Sequence, residues 1–153
     1  MIMRRLSVIV MSVLALVGCA TVQIPNYIKA DHPYIRKISG DYDKIIAAIE
    51  DVLYRQGWKV QSQVNPSIYE RRPGGEDQSR DVLFFTQIKQ HANFFYSTYT
   101  HLNVFVHATG EGAEVEVRYG ALNDLFIKKF EGTRNDPLAK RLLDKIEQEL
   151  ESK

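Results

Sequence analysis

Between Asp41 and Gln56 the apolar residues Tyr42, Ile45, Ile46, Ile49, Val52 and Leu53 recur every three or four positions, which gathers them on one side of a helix. Ser39 or Asp41 stands where a side chain can cap its start, and Gly57 where a helix ends in a left-handed residue. The period then changes to two. Trp58, Val60, Ser62 and Val64 alternate with Lys59, Gln61 and Gln63, the pattern of a strand with one wet face. Asn65-Pro66-Ser67 reads as a turn, and Ile68 to Arg72 as the returning strand of a hairpin. A polar, Gly-rich loop over 73–79 separates this from an apolar strand, Val82 to Ile88.

The longest alternating stretch runs from Thr100 to Ala108. Leu102, Val104 and Val106 take one face; Tyr99, His101, Asn103, Phe105 and His107 take the other. Thr109-Gly110-Glu111-Gly112 is a hairpin turn, and Val115, Val117 and Tyr119 alternate with Glu114, Glu116 and Arg118 on the way back. Leu122 to Gly132 holds Leu125, Phe126, Ile127 and Phe130 without a stable period. Asn135 or Asp136, followed by Pro137, starts a closing helix striped by Leu138, Leu142, Ile146 and Leu150. Tyr34, Ile35 and Ile38 form a short first strand, which Arg36 and Lys37 mark as an edge.

Strand, helix, a run of antiparallel strands and a closing helix exclude a doubly wound parallel sheet, which needs helical crossovers. The expected fold is α+β: a two-layer sandwich in which two helices pack on one face of a twisted, mainly antiparallel sheet of five to six strands. One domain, residues 34–153, accounts for all of it.

The first nineteen residues follow a different logic: Arg4 and Arg5, a mostly apolar run of 12 residues from Leu6 to Val17, then Gly18 and Cys19. That order is the anatomy of an export signal. As a helix the run spans roughly 18 Å at about 1.5 Å per residue, short of the ~30 Å hydrocarbon core, which argues against an uncleaved transmembrane anchor. Leu16-Val17-Gly18-Cys19 resembles the lipobox of bacterial lipoproteins. The resemblance implies cleavage between Gly18 and Cys19, acyl chains on Cys19, a signal peptide over 1–18 and a lipidated N-terminus and tether over 19–33. It also implies the outer membrane, facing the periplasm, because Ala20 rather than Asp follows the cysteine. Pro25 and Pro33, with no apolar period between them, fit a tether reaching roughly 45 to 50 Å when extended.

Gly40-Asp41-Tyr42-Asp43, the helix end Leu53-Tyr54-Arg55-Gln56-Gly57-Trp58 and Ile68-Tyr69-Glu70-Arg71 are similar to the BamC-type helix-grip domains of periplasmic lipoproteins. What this implies is a lipoprotein that binds or scaffolds other envelope components; it carries no catalytic residue over.

Charge and composition narrow the chemistry. The chain of 153 residues has 20 Lys+Arg against 19 Asp+Glu; losing Arg4 and Arg5 with the signal leaves 18 against 19, a net −1. Nucleic-acid binding by phosphate neutralisation is not expected of such a surface. A single cysteine, Cys19, excludes an internal disulfide or a CxxC pair. His101 and His107 share a strand face, but six steps of ~3.3 Å set them roughly 20 Å apart, too far to ligate one metal. No serine sits in a GxSxG elbow, and Arg71-Arg72-Pro73-Gly74-Gly75 lacks the GK[ST] of a phosphate loop. No metal, cofactor or catalytic set is expected.

What remains is surface. Phe94, Phe95, Tyr96 and Tyr99 crowd four rings into six residues, and Phe95 alternates with Tyr99 onto the face carrying His101, Asn103, Phe105 and His107. Phe95, Tyr99, His101, Asn103, Phe105 and His107 are therefore the candidate binding surface of a non-enzymatic, lipid-anchored envelope protein with a protein partner. The alternative is a module binding a lipid or glycan fragment in a helix-grip cavity between helix and sheet.

Overall fold

The structure, a computed structural model, describes residues 24–30, 32–71, 78–94, 96–123 and 131–152. Gly18, Cys19 and the signal segment lie outside the described residues, as does Phe95. The fold is α+β, as the periodicities require. Its elements run β1 (Tyr34–Ser39), α1 (Tyr42–Arg55), β2 (Val60–Val64), β3 (Val82–Thr86), β4 (Lys89–Ala92), β5 (Ser97–Thr109), β6 (Gly112–Asn123), β7 (Glu131–Thr133) and α2 (Asp136–Glu151). Five strands follow the path β1-β6-β5-β3-β2; two short strands are added, β4 beside β5 and β7 beside β6. Every pairing among the described strands is antiparallel.

Asp41 caps α1, its carboxylate accepting from the Lys44 amide at 3.0 Å, and Gly57 at φ +72° turns the chain out of the helix. Asn135 caps α2 by accepting from the Leu138 amide at 3.2 Å. Both helices lay their apolar stripes on the same sheet face. Ile45, Ile49 and Leu53 of α1 and Leu143 and Ile146 of α2 are fully buried against Phe84, Val104, Val106 and Val115. Arg36 of β1 ties the layers together, donating to Asp144 at 2.8 Å and Glu147 at 2.9 Å on α2.

The β5–β6 hairpin is the spine of the sheet, closed by Gly110 and Glu111 between the paired Thr109 and Gly112. Gly112 has φ +150°, and a Cβ there would sit 2.2 Å from the Ile38 carbonyl oxygen, so β1 approaches this turn as closely as only glycine permits. In register across the sheet, Phe85, Asn103 and Arg118 form one row, and Leu83, Phe105, Glu116 and Ile35 the next. All of these point away from the helices.

Two expected elements differ. Of the strand expected over Ile68 to Arg72, residues 68–71 form none and Arg72 lies outside the described residues: Asn65 accepts from the Ser67 amide at 2.9 Å and Pro66 opens a 3-10 turn, Pro66–Ile68, that carries Tyr69 and Glu70 over the sheet. The apolar run from Val82 ends at Thr86, and the chain re-enters the sheet as β4. No helix among the described residues is long and apolar enough to cross a membrane.

Candidate functional site

The sheet face opposite the helices carries Tyr99, His101, Asn103, Phe105 and His107 of the expected binding residues, with Phe95 outside the described residues, and most of them are buried. Asn103 and Phe105 are 0% exposed and His101 is 1% exposed; His107 is buried and Tyr99 half-buried. The open surface expected from strand alternation is thus corrected: alternation gives the face, and over Asn103 and Phe105 the chain's own residues 26–28 and 69–70 close it.

That segment was expected to be a free tether over 19–33. Instead Asn26, Tyr27 and Ile28 lie across the sheet. Asn103 grips them twice, its Oδ1 accepting from the Ile28 amide at 2.6 Å and its Nδ2 donating to the Asn26 carbonyl at 2.9 Å. Arg118, directly across the ladder, donates through Nη1 to the Ile28 carbonyl at 3.1 Å. Both backbone groups of Ile28 are therefore satisfied by sheet side chains rather than by a neighbouring strand, which is what lets an irregular segment be buried at all. The Ile28 side chain is 1% exposed.

Aromatic rings finish the cover. Tyr27 stacks on Tyr69 with centroids 4.9 Å apart and meets Phe105 edge-on at 6.3 Å; Tyr69 in turn meets Phe85 at 5.5 Å. Leu83, Phe85 and Phe105 form a second, smaller apolar cluster beneath the strap, with Tyr27 and Val64 packed against it.

Arg118 is the electrostatic centre. Its side chain is 5% exposed and lies 4.0 Å over the Phe105 ring. Nη2 donates to Glu70 at 2.7 Å, Nε to Glu116, and Nη1 to the Tyr27 hydroxyl at 3.0 Å, while that hydroxyl donates to Glu70. Burial works against the guanidinium's charge, but the bonds to Glu70 and Glu116 outweigh it and raise its pKa. Burial would likewise raise Glu70, yet Arg118 and Tyr27 pull its carboxyl below the ordinary range. The Tyr27 phenol moves up, by burial and by its bond to Glu70.

At the far end of β5, Asp81 lies 2.9 Å from His107 Nδ1 and accepts from the Ala108 amide at 3.0 Å, pinning the ring against Phe105. His101 stands opposite Gly120, and burial depresses its pKa to about 4, so its imidazole is neutral at pH 7. The structure brings Asn103 and Phe105 together with residues the sequence did not single out: Tyr27, Ile28, Tyr69 and Glu70. The available signal was small, a Tyr-Ile pair inside a proline-flanked segment.

Chemically, the arrangement holds a strap: Asn103 and Arg118 are committed to the chain above them, and Arg118 also to Glu70 and Glu116. Among the described residues no three His, Cys, Asp or Glu side chains converge to hold a metal. Core side chains, Ile45, Ile49, Leu53, Leu143 and Ile146 among them, pack the helix–sheet layer. Among the described residues, one cleft of about 250 Å³ opens beside Ala30, Pro33, Tyr34, Tyr119 and Asn135, and another of about 300 Å³ lies between α1 and α2 at Arg55 and Glu149. No protein-family model matches the chain, and no curated protein matches it.

Proposed function

We propose that this chain is a lipid-anchored protein of the cell envelope, attached through acyl chains on Cys19 and serving as a non-enzymatic binding or scaffold module for an envelope protein partner. The observation that supports it best is the strap, because it turns the segment following Cys19 into part of the fold. Only seven residues, Ala20 to Asn26, then separate the cysteine from half-buried Tyr27 and fully buried Ile28. At ~3.3 to 3.6 Å each they reach roughly 25 Å, about half the length of a free tether. The domain is held against its membrane rather than floating above it.

The partner contact shifts from the buried face to its cover, where Ile68 is 69% exposed and Tyr69 presents its outer side. A helix-grip ligand cavity has less support, since fully buried Ile45, Ile49, Leu53 and Leu143 occupy the layer it would need. Two or three acyl chains hold a protein stably where one does so only transiently. Cys19→Ser should therefore move the protein from the membrane to the soluble fraction and abolish acyl labelling. Retention of the variant in the membrane with acyl label elsewhere would end the anchoring claim.

A further inference from the structure

The β4–β5 hairpin ends in a short, closed turn. Ala92 pairs with Ser97, the Asn93 amide donates to the Tyr96 carbonyl at 2.9 Å, and the Asn93 side chain accepts from the Tyr96 amide at 3.0 Å. Both bonds fix the turn, and Phe94 stands on it 94% exposed. From Ala92 to Thr100 the sequence contains no charged residue, in a chain that is 25% charged, and four of those positions are aromatic. An uncharged aromatic tip on an ordered hairpin is unlike the mixed-charge surface of the rest of the domain.

We propose that this tip rests in the lipid–water interface of the membrane that holds the chain, with Phe94 as its leading side chain. The inference deepens the lipid-anchored reading and rests on it. Reach supports a bilayer as the occupant. Asn103, which grips the strap, lies six residues along β5 from Ser97, roughly 20 Å at ~3.3 Å per residue. The seven residues from Tyr27 back to Cys19 extend at most roughly 25 Å. These two reaches are similar, so the acyl chains and the tip can meet one membrane plane. The chemistry agrees, since aromatic side chains gather where a bilayer meets water. Net −1 on the exported chain offers no general electrostatic attraction to anionic lipid, which leaves the rings as the second contact. Burying one phenylalanine side chain shifts a partition equilibrium roughly tenfold to a hundredfold.

The test uses the full lipidated chain carrying Phe94→Trp, extracted from membranes and reconstituted into phosphatidylethanolamine–phosphatidylglycerol vesicles brominated along the acyl chains. Emission of the unsubstituted chain, whose Trp58 is buried, is subtracted. The expected result is a blue-shifted added emission that the brominated lipid quenches. Acylated, vesicle-bound protein whose added emission stays red-shifted and unquenched would overturn the tip proposal while leaving the anchor intact; an emission that moves only when a protein partner is added does the same. A chain without acyl groups that fails to float with the vesicles would overturn the anchoring reading and the tip proposal together.

Discussion

Arg118→Ala is expected to destabilise the domain by about 3–5 kcal/mol, because it removes one partner from a buried ion pair and strands the other. Glu116 would be left nearly buried without its guanidinium, and Glu70 would lose the Arg118 bonds that, with Tyr27, hold its carboxyl low. The loss extends to the strap, since the Ile28 carbonyl and the Tyr27 hydroxyl both accept from Arg118 Nη1. Urea denaturation gives the energy, and hydrogen exchange at the Ile28 amide reports the strap. That amide should exchange as slowly as the sheet in the native chain and much faster in the variant. Arg118→Lys should recover little, because one ammonium cannot reproduce a fork that addresses Glu70, Glu116, Tyr27 and Ile28 at once. Arg118→Met combined with Glu116→Gln should recover part of the loss, since no bare charge then remains beside Phe105. Unchanged stability with a protected Ile28 amide in Arg118→Ala would mean that the strap does not depend on this centre.

Acid should weaken the fold first through His101. Its pKa falls from 6.5 to about 4 on folding, by burial, so the unfolded chain binds the proton more readily between those values. Stability is then complete above pH 6.5 and declines as pH drops toward about 4, by about 2 kcal/mol at pH 5 and about 3 kcal/mol in all. Glu70 acts lower: its depressed carboxyl stabilises the fold above the ordinary value of 4.5, and that contribution is lost as pH falls below it. Of these two groups, His101 alone contributes a slope between pH 6.5 and 5. His101→Leu, close in volume and unable to titrate, should flatten the profile over that interval in urea titrations. A variant that keeps the native slope would place the acid sensitivity elsewhere.

The helix face of the sheet was legible because its causes are local. Ile45, Ile49 and Leu53 repeat with the helical period, Leu102, Val104 and Val106 with the strand period, and Gly110 to Gly112 mark the only tight turn between two long alternating runs. Those patterns yielded α1, α2, the β5–β6 hairpin and the α+β class. The covered face was not legible. Alternation placed Asn103 and Phe105 on it correctly, but a period of two says nothing about what lies above a strand. The cover consists of residues 26–28 and 69–70, neither long enough to show a period, joined to the sheet by bonds such as Ile28 to Asn103, 75 positions apart. Ile68 to Arg72 misled for a related reason: its apolar residues suit a strand, whereas Asn65 and Pro66 start a 3-10 turn that aims Tyr69 and Glu70 at Tyr27 and Arg118. Short β4 and β7 owe their place to the lengths of β5 and β6, which extend past β3 and β1 and leave ladder positions to fill.

Everything functional in this account turns on Cys19 being the point of attachment. The most direct measurement is the mass of the N-terminal peptide from protein extracted out of membranes with detergent. That peptide should begin at Cys19 and carry a diacylglyceryl group on sulfur, with a further acyl chain on its amino group. An N-terminal sequence continuing upstream through Gly18, with Cys19 recovered as a free thiol, would contradict it.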